Sequence, residues 1–151
     1  MKLIDLEISE HSHERKSLIV VGTAKIQGED YTCGGSIYVF DVVQVVPDPD
    51  KAEINKVLKL IAREELRGPV TALAECGEDG FLVHAQGQKI MVRGLKEDHS
   101  LLPVAFLDVQ CLVTCLKNVK GTGLVLVADA MKGVWLTGYT VCLTIPSNES
   151  C

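Results

Sequence analysis

The chain has 151 residues, a formal net charge of −5, and a composition that is 47% hydrophobic but only 5% aromatic. That suits a domain with a real core and excludes a chain disordered by composition. The acidic balance, with no basic run longer than Arg15-Lys16, argues against autonomous binding to nucleic-acid phosphates, which needs a net positive face.

Leu3 to Ile8 alternates apolar and acidic residues and predicts a first strand. Glu10 to Lys16 is polar and reads as a loop. Leu18 to Ala24 is a four-residue apolar run closed by small residues, the pattern of a strand buried on both faces. Gln27 to Tyr31 is a loop turning on Gly28-Glu29-Asp30. Gly34-Gly35 opens a long strand, Ser36 to Val46, rich in β-branched and aromatic residues. Pro47-Asp48-Pro49-Asp50 ends it, because proline cannot donate to a ladder.

Lys51 to Leu66 is ambiguous. Ile54, Val57, Leu58 and Ile61 fall at helical spacing, and the Ala, Glu, Lys and Leu content favours helix. Val57, Leu58, Leu60 and Ile61 could also form a strand. After the Gly68-Pro69 turn, Val70 to Glu75, Phe81 to Gln86, Lys89 to Leu95 and Leu101 to Val109 predict a four-stranded meander. Cys111 to Leu116, Leu124 to Ala130 and Val134 to Tyr139 predict three strands more, with turns at Asn118 to Gly123 and Met131-Lys132-Gly133.

One strand pattern occurs three times, at Leu18 to Ala24, Phe81 to Gly87 and Leu124 to Ala130. The last two copies are separated by the roughly 40–45 residues of one four-stranded propeller blade. The expected fold is therefore all-β: a fragment of a β-propeller with about three blades, the last incomplete. The expected division is an enlarged blade over 1–66, a second over 67–110, an incomplete third over 111–145, and a tail at 146–151. The repeat requires an outer strand within 51–66, against the helical spacing.

Candidate chemistry is thin. Cys111 and Cys115 with His11 and His13 could supply zinc ligands, but no second close Cys pair exists, and buried free thiols explain the cysteines better. Cys76 lies near His84 in sequence without an activating arrangement, and His84 reads as a satisfied core histidine. Ser36 follows two glycines but sits in no G-x-S-x-G elbow. Gly77-Glu78-Asp79-Gly80 reads as a hairpin turn, since its carboxylates would repel phosphate. Asp48, Asp50, Glu53, Glu64 and Glu65 read as solvated rim acids. No catalytic, cofactor or metal site is expected. Six scattered cysteines, Asp5 and Glu7 where a signal peptide needs an apolar run, and no apolar stretch near 18 residues point to a reducing interior compartment and no membrane span.

Five segments, in order, resemble the large subunit of the cleavage and polyadenylation specificity factor. They are Ile37-Tyr38-Val39-Phe40-Asp41 running into Val45-Val46-Pro47-Asp48-Pro49; Gly68-Pro69-Val70-Thr71-Ala72-Leu73; Gly80-Phe81-Leu82-Val83 with Gly87-Gln88-Lys89-Ile90; Val104-Ala105-Phe106-Leu107-Asp108-Val109-Gln110; and Val127-Ala128-Asp129-Ala130-Met131-Lys132. The likeness runs from Thr32 to Tyr139. It implies a piece of the C-terminal propeller of a nuclear scaffold, in the complex that recognises the polyadenylation signal of pre-mRNA. Such a scaffold organises the other subunits and is not the nuclease; contact with pre-mRNA in the full assembly stays open. The resemblance also tips 51–66 towards a strand-bearing outer segment. The alternative is a relative of the same superfamily, the damaged-DNA-binding adaptor of a ubiquitin ligase.

Two departures stand out. Gly34 and Ser36 replace basic residues usual in the family, and nothing beyond Tyr139 is recognisable. The codons of Val141-Cys142 can spell an intron start. Residues 141–151 are therefore expected to stem from a retained intron or a misplaced gene boundary, with a divergent C-terminus as the alternative.

Overall fold

The computed structural model describes residues 1–8, 13–26, 28, 34–46, 55–76 and 80–139. Their regular elements are all strands: β1 (Lys2–Glu7), β2 (Arg15–Gly22), β3 (Gly35–Gln44), β4 (Lys56–Leu66), β5 (Val70–Cys76), β6 (Phe81–Gln86), β7 (Lys89–Leu95), β8 (Leu101–Asp108), β9 (Val113–Val119), β10 (Leu124–Asp129) and β11 (Val134–Gly138). They form antiparallel meanders β1-β2-β3-β4 (sheet 1), β5-β6-β7-β8 (sheet 2) and, among the described residues, the three-stranded β9-β10-β11 (sheet 3). This is the all-β architecture of propeller blades, the third showing three strands among the described residues.

Within 51–66 the described residues are strand, not helix. The helical spacing loses to tertiary pairing, because β3 offers β4 a ladder from Gly35↔Leu66 to Gln44↔Lys56. A bulge between Val39 and Phe40 leaves Ile61 as the extra residue and bends the ribbon. Arg15 and Lys16 belong to β2, extending it into the expected loop. β9 starts at Val113 rather than Cys111, although the Leu112 carbonyl still accepts from the Ala130 amide at 2.9 Å just beyond the ends of β9 and β10.

Sheet 2 is the middle layer. Ile4, Leu6, Leu18, Val20, Ile37 and Val39 of sheet 1 share one core with Leu73, Leu82, Leu95 and Leu101. Ala74, Cys76, Val83, Ala85, Ile90 and Val92 share a second core with Val113, Leu116, Val125 and Val127 of sheet 3. Successive side chains of β6 point to opposite faces, so Leu82 enters one core and Val83 the other. Each fully buried Leu or Val contributes roughly 1.5–3 kcal/mol. Of the three strand-pattern copies only β6 is buried on both faces. In β2 and β10, Leu18, Val20, Val125 and Val127 are buried while Ile19, Val21, Leu124 and Leu126 are half-buried. Sheets 1 and 3 are covered on one side only among the described residues.

The joint between sheets 1 and 2 is tight at one end. The Val70 amide donates to the Thr23 carbonyl at 3.1 Å. A Cβ on Gly35 would stand 2.5 Å from the Thr23 oxygen and 2.6 Å from that of Gly68. Glycine is required there by backbone approach.

Candidate functional site: a buried joint and two open sheet faces

Arg93 of β7 is 5% exposed and points towards sheet 1. Its Nε donates to His84 Nε2 at 3.0 Å, and its Nη1 donates to the Leu101 carbonyl at 3.0 Å and to Glu64 Oε1 of β4 at 3.2 Å. Burial, and secondarily the Arg93 charge, lower the His84 pKa to about 3. The ring is therefore a neutral acceptor near neutral pH. Its Nδ1 is buried without a hydrogen-bond partner among the described residues. The cluster fastens β4 of sheet 1 to β6 and β7 of sheet 2.

A second joint reaches across all three sheets. Lys2 Nζ of β1 donates to the Leu116 carbonyl of β9 at 3.1 Å. It lies at a cavity of about 220 Å³ lined by Gly22, Thr71, Leu73 and Cys115 among others. The strands β1, β5 and β9 thus converge on one axis, as the inner strands of propeller blades do.

The outer face of sheet 1 carries Leu3, Ile19, Phe40 and Leu60, each directly opposite the next across the strands, and Val42 opposite Leu58. Leu3 is 68% exposed and Leu58 57%. The outer face of sheet 3 sets Leu126 opposite Leu136 and Ala128 opposite Val134, with Leu136 and Val134 exposed. Contiguous exposed apolar faces of this kind mark interaction surfaces. They match the faces that sheets 1 and 3 already bury on sheet 2.

The structure separates most residues singled out in the sequence. Cys76 and His84 lie on opposite faces of sheet 2, one in each core layer, so the imidazole cannot activate the thiol. Cys76 is 1% exposed, but it is for Cys111 and Cys115 that the sequence suggests buried-thiol packing. It fails for Cys115, exposed on the open face of sheet 3, and for half-buried Cys111. His13 Nδ1 sits 2.7 Å from Glu7 Oε1 on the β1–β2 connection. Ser36 is held through its own main chain, its amide donating to Thr23 Oγ1 at 3.0 Å and its carbonyl accepting from the Thr23 amide at 2.9 Å. Glu64 is not a free rim acid, since it binds Arg93, whereas Glu65 is exposed and pairs with Arg63. Gly80 has φ 70°, and its carbonyl accepts from the Glu7 amide at 3.1 Å, docking the β5–β6 turn on β1. His11, Cys33, Asp48, Asp50, Glu53, Gly77 to Asp79, Cys142, Cys151 and the tail 141–151 lie outside the described residues. The Arg93 joint escaped the sequence, because Glu64, His84 and Arg93 are far apart along the chain. The one signal was a charged residue, Arg93, inside the apolar run of β7.

A family model described as the CPSF A subunit region matches residues 1–144. The chain is 61% identical over 140 residues to the protein named cft1 of Aspergillus clavatus, with 93% of this chain and 10% of the relative covered. It is 58% identical over 141 residues to the protein cft1 of Neurospora crassa, again covering 93% and 10%. It is 39% identical over 140 residues to that of Schizosaccharomyces pombe, covering 91% and 9%. The chain spans about a tenth of the length of these curated relatives. With a match over nearly its whole length, the chain belongs to the CPSF A subunit family.

Proposed function

We propose that the chain is a non-catalytic scaffold element of the nuclear machinery for mRNA 3′-end processing, a piece of a propeller in the large subunit of the cleavage and polyadenylation specificity factor. Its blades divide at 66/67 and 110/111, the third running to 145 with a tail at 146–151. Its partners are the other subunits of that complex, with pre-mRNA contacted, if at all, in the full assembly.

The observation that carries this role is the family match over residues 1–144. The geometry agrees in kind. Joints such as Arg93 lock the sheets together, and large open faces are left for protein contact. The ligase-adaptor alternative has no support among the relatives named above.

Affinity purification of the tagged chain from fungal nuclei tests the role. Enrichment of cleavage and polyadenylation subunits over an untagged control is the expected result. Recovery of ubiquitin-ligase subunits instead would overturn it.

A further inference from the structure

Sheets 1 and 3 each present an open face, and the faces already buried show what fits them. The strand pattern repeated in β2, β6 and β10 puts its first and third residues on one face of the sheet, and its second and fourth on the other. At the joint between sheets 1 and 2, Leu18 and Val20, first and third in their copy, share a core with Leu82, second in its copy. At the joint between sheets 2 and 3, Phe81 and Val83, first and third, pack with Val125 and Val127, second and fourth. The same two kinds of face therefore meet at both joints, in the same order. The two faces left open are one of each kind. Leu124 and Leu126, first and third, look out of sheet 3, and Ile19 and Val21, second and fourth, look out of sheet 1.

Both open faces are apolar at their centres. Leu3 and Phe40 stand directly opposite Ile19. Around Leu124, Leu126 and Ala128 the only charged neighbour across the strands is Lys117, opposite Leu126. That lysine does not forbid stacking. Lys2 is placed alike, opposite Val20, which is also third in its copy. Lys2 Nζ reaches over the sheets to the Leu116 carbonyl at 3.1 Å, so a lysine at this position spans a joint.

We infer that two copies of the chain pack head to tail, the open face of sheet 3 in each lying on the open face of sheet 1 in the other, and close a ring of six sheets. The number of copies follows from the number of sheets. The strands β1, β5 and β9 turn about one axis, so stacking continued in the same sense runs round that axis. Closed propellers hold about four to eight sheets. One copy supplies three sheets among the described residues; two copies supply six, and three would supply nine, outside that range. Contact between unlike faces closes into a ring where the rotation allows and otherwise runs on as a filament.

Area favours the closed ring over an open pair. A face of three strands about 4.8 Å apart, each about six residues long at about 3.3 Å per residue, covers roughly 280 Å². One contact then buries roughly 600 Å² over both partners, well short of the about 1,200 Å² at which stable interfaces begin. A ring holds two such contacts and reaches that bound. This pairing of the 151-residue chain stands apart from the scaffold role proposed above, and either can fail without the other.

Sedimentation velocity on the full chain reads the assembly, and two variants read its polarity. The unchanged chain should pass from monomer to dimer as concentration rises and stop there. Leu3→Lys spoils the open face of sheet 1, and Leu136→Lys that of sheet 3. Both side chains are exposed, so circular dichroism should stay unchanged. In a ring each variant alone has both contacts spoiled, and each should stay monomeric where the unchanged chain is a dimer. Mixed in equal amounts, the two variants keep one contact free of either substitution: sheet 3 of the Leu3→Lys copy on sheet 1 of the Leu136→Lys copy. Heterodimers should therefore form, at concentrations at least about tenfold above those the unchanged dimer needs. A monomer throughout, which would leave the faces to some other occupant, overturns the ring. So does growth of the unchanged chain past the dimer, or a mixture as monomeric as its components. A dimer formed by Leu136→Lys alone would mean that sheet 1 meets sheet 1, and one formed by Leu3→Lys alone that sheet 3 meets sheet 3; either contradicts head-to-tail packing.

Discussion

At the residue scale the chain's stability turns on a few polar groups placed between apolar layers. Arg93→Ala would leave His84 Nε2 and the Leu101 carbonyl without their donor, at roughly 1–3 kcal/mol each. Urea unfolding should therefore show a loss of about 2–6 kcal/mol by the same reasoning. Glu64→Ala should cost under about 1 kcal/mol, because its carboxylate is partly hydrated. Equal losses for the two variants would contradict this account of the joint. His84 makes a separate prediction in pH. Its folded pKa is depressed to about 3 from 6.5, so between those values only the unfolded chain takes up the proton. Its contribution is complete above pH 6.5 and is lost as pH falls towards 3, at up to about 1.4 kcal/mol per pH unit. His84→Gln should flatten the stability profile in that window. Carboxylates such as Asp98 and Asp129, held below their usual range by hydrogen bonds from Ser100 and from the Lys132 and Met131 amides, act alike in both proteins.

At the element scale the strands were legible where local chemistry and pairing agree. Phe81 to Gln86 and Lys89 to Leu95 read correctly because two largely apolar runs flank the Gly87-Gln88 turn. The end of β3 read two residues long, at Val46 rather than Gln44. The segment around Val57 to Ile61 did not read cleanly, since its spacing suits a helix and only a long partner strand makes it β4. The burial of the repeated pattern was also over-read. A four-residue apolar run reports a strand, but whether both faces are covered depends on which sheet lies in the middle. No sequence signal could place Glu64 beside Arg93, since that contact exists only once sheets 1 and 2 stack. Gly35 gives the sharpest test of that stacking. Gly35→Ala would push a methyl group against two backbone oxygens, and overpacking of this kind costs typically about 1–3 kcal/mol. Thermal unfolding should show that loss, whereas Gly87→Ala, at a turn with open space around it, should cost less and only through its φ of 64°. The reverse order would mean that sheets 1 and 2 do not approach as described.

At the scale of the whole molecule the outer faces of sheets 1 and 3 dominate. Leu3, Leu58 and Leu60 on one side and Val134 and Leu136 on the other stand in solvent, each forgoing roughly 1.5–3 kcal/mol of burial. In isolation the chain should therefore self-associate with concentration, as uncovered sheet faces and edges do. Leu3→Lys with Leu136→Lys should raise the monomer fraction in sedimentation without lowering the unfolding midpoint. A monomer at every concentration in the unchanged chain would contradict the exposed-face account. The family is legible in the amino-acid sequence itself, because five segments in fixed order carry it. How the sheets join, and which faces they leave free, is not, because both depend on contacts between residues distant along the chain.

If this chain is a propeller piece of a 3′-end-processing scaffold, it should be interchangeable with the same piece of a relative. The matching segment of the Aspergillus clavatus protein cft1, 61% identical over 140 residues, is replaced by residues 1–139 of this chain. Cleavage and polyadenylation of a reporter transcript are then measured in cells that depend on the chimera. Processing close to the unexchanged level is the expected result, with a marked loss when Arg93→Ala is added to the exchanged segment. A stably expressed, complex-bound chimera that leaves the transcript uncleaved would contradict the scaffold role.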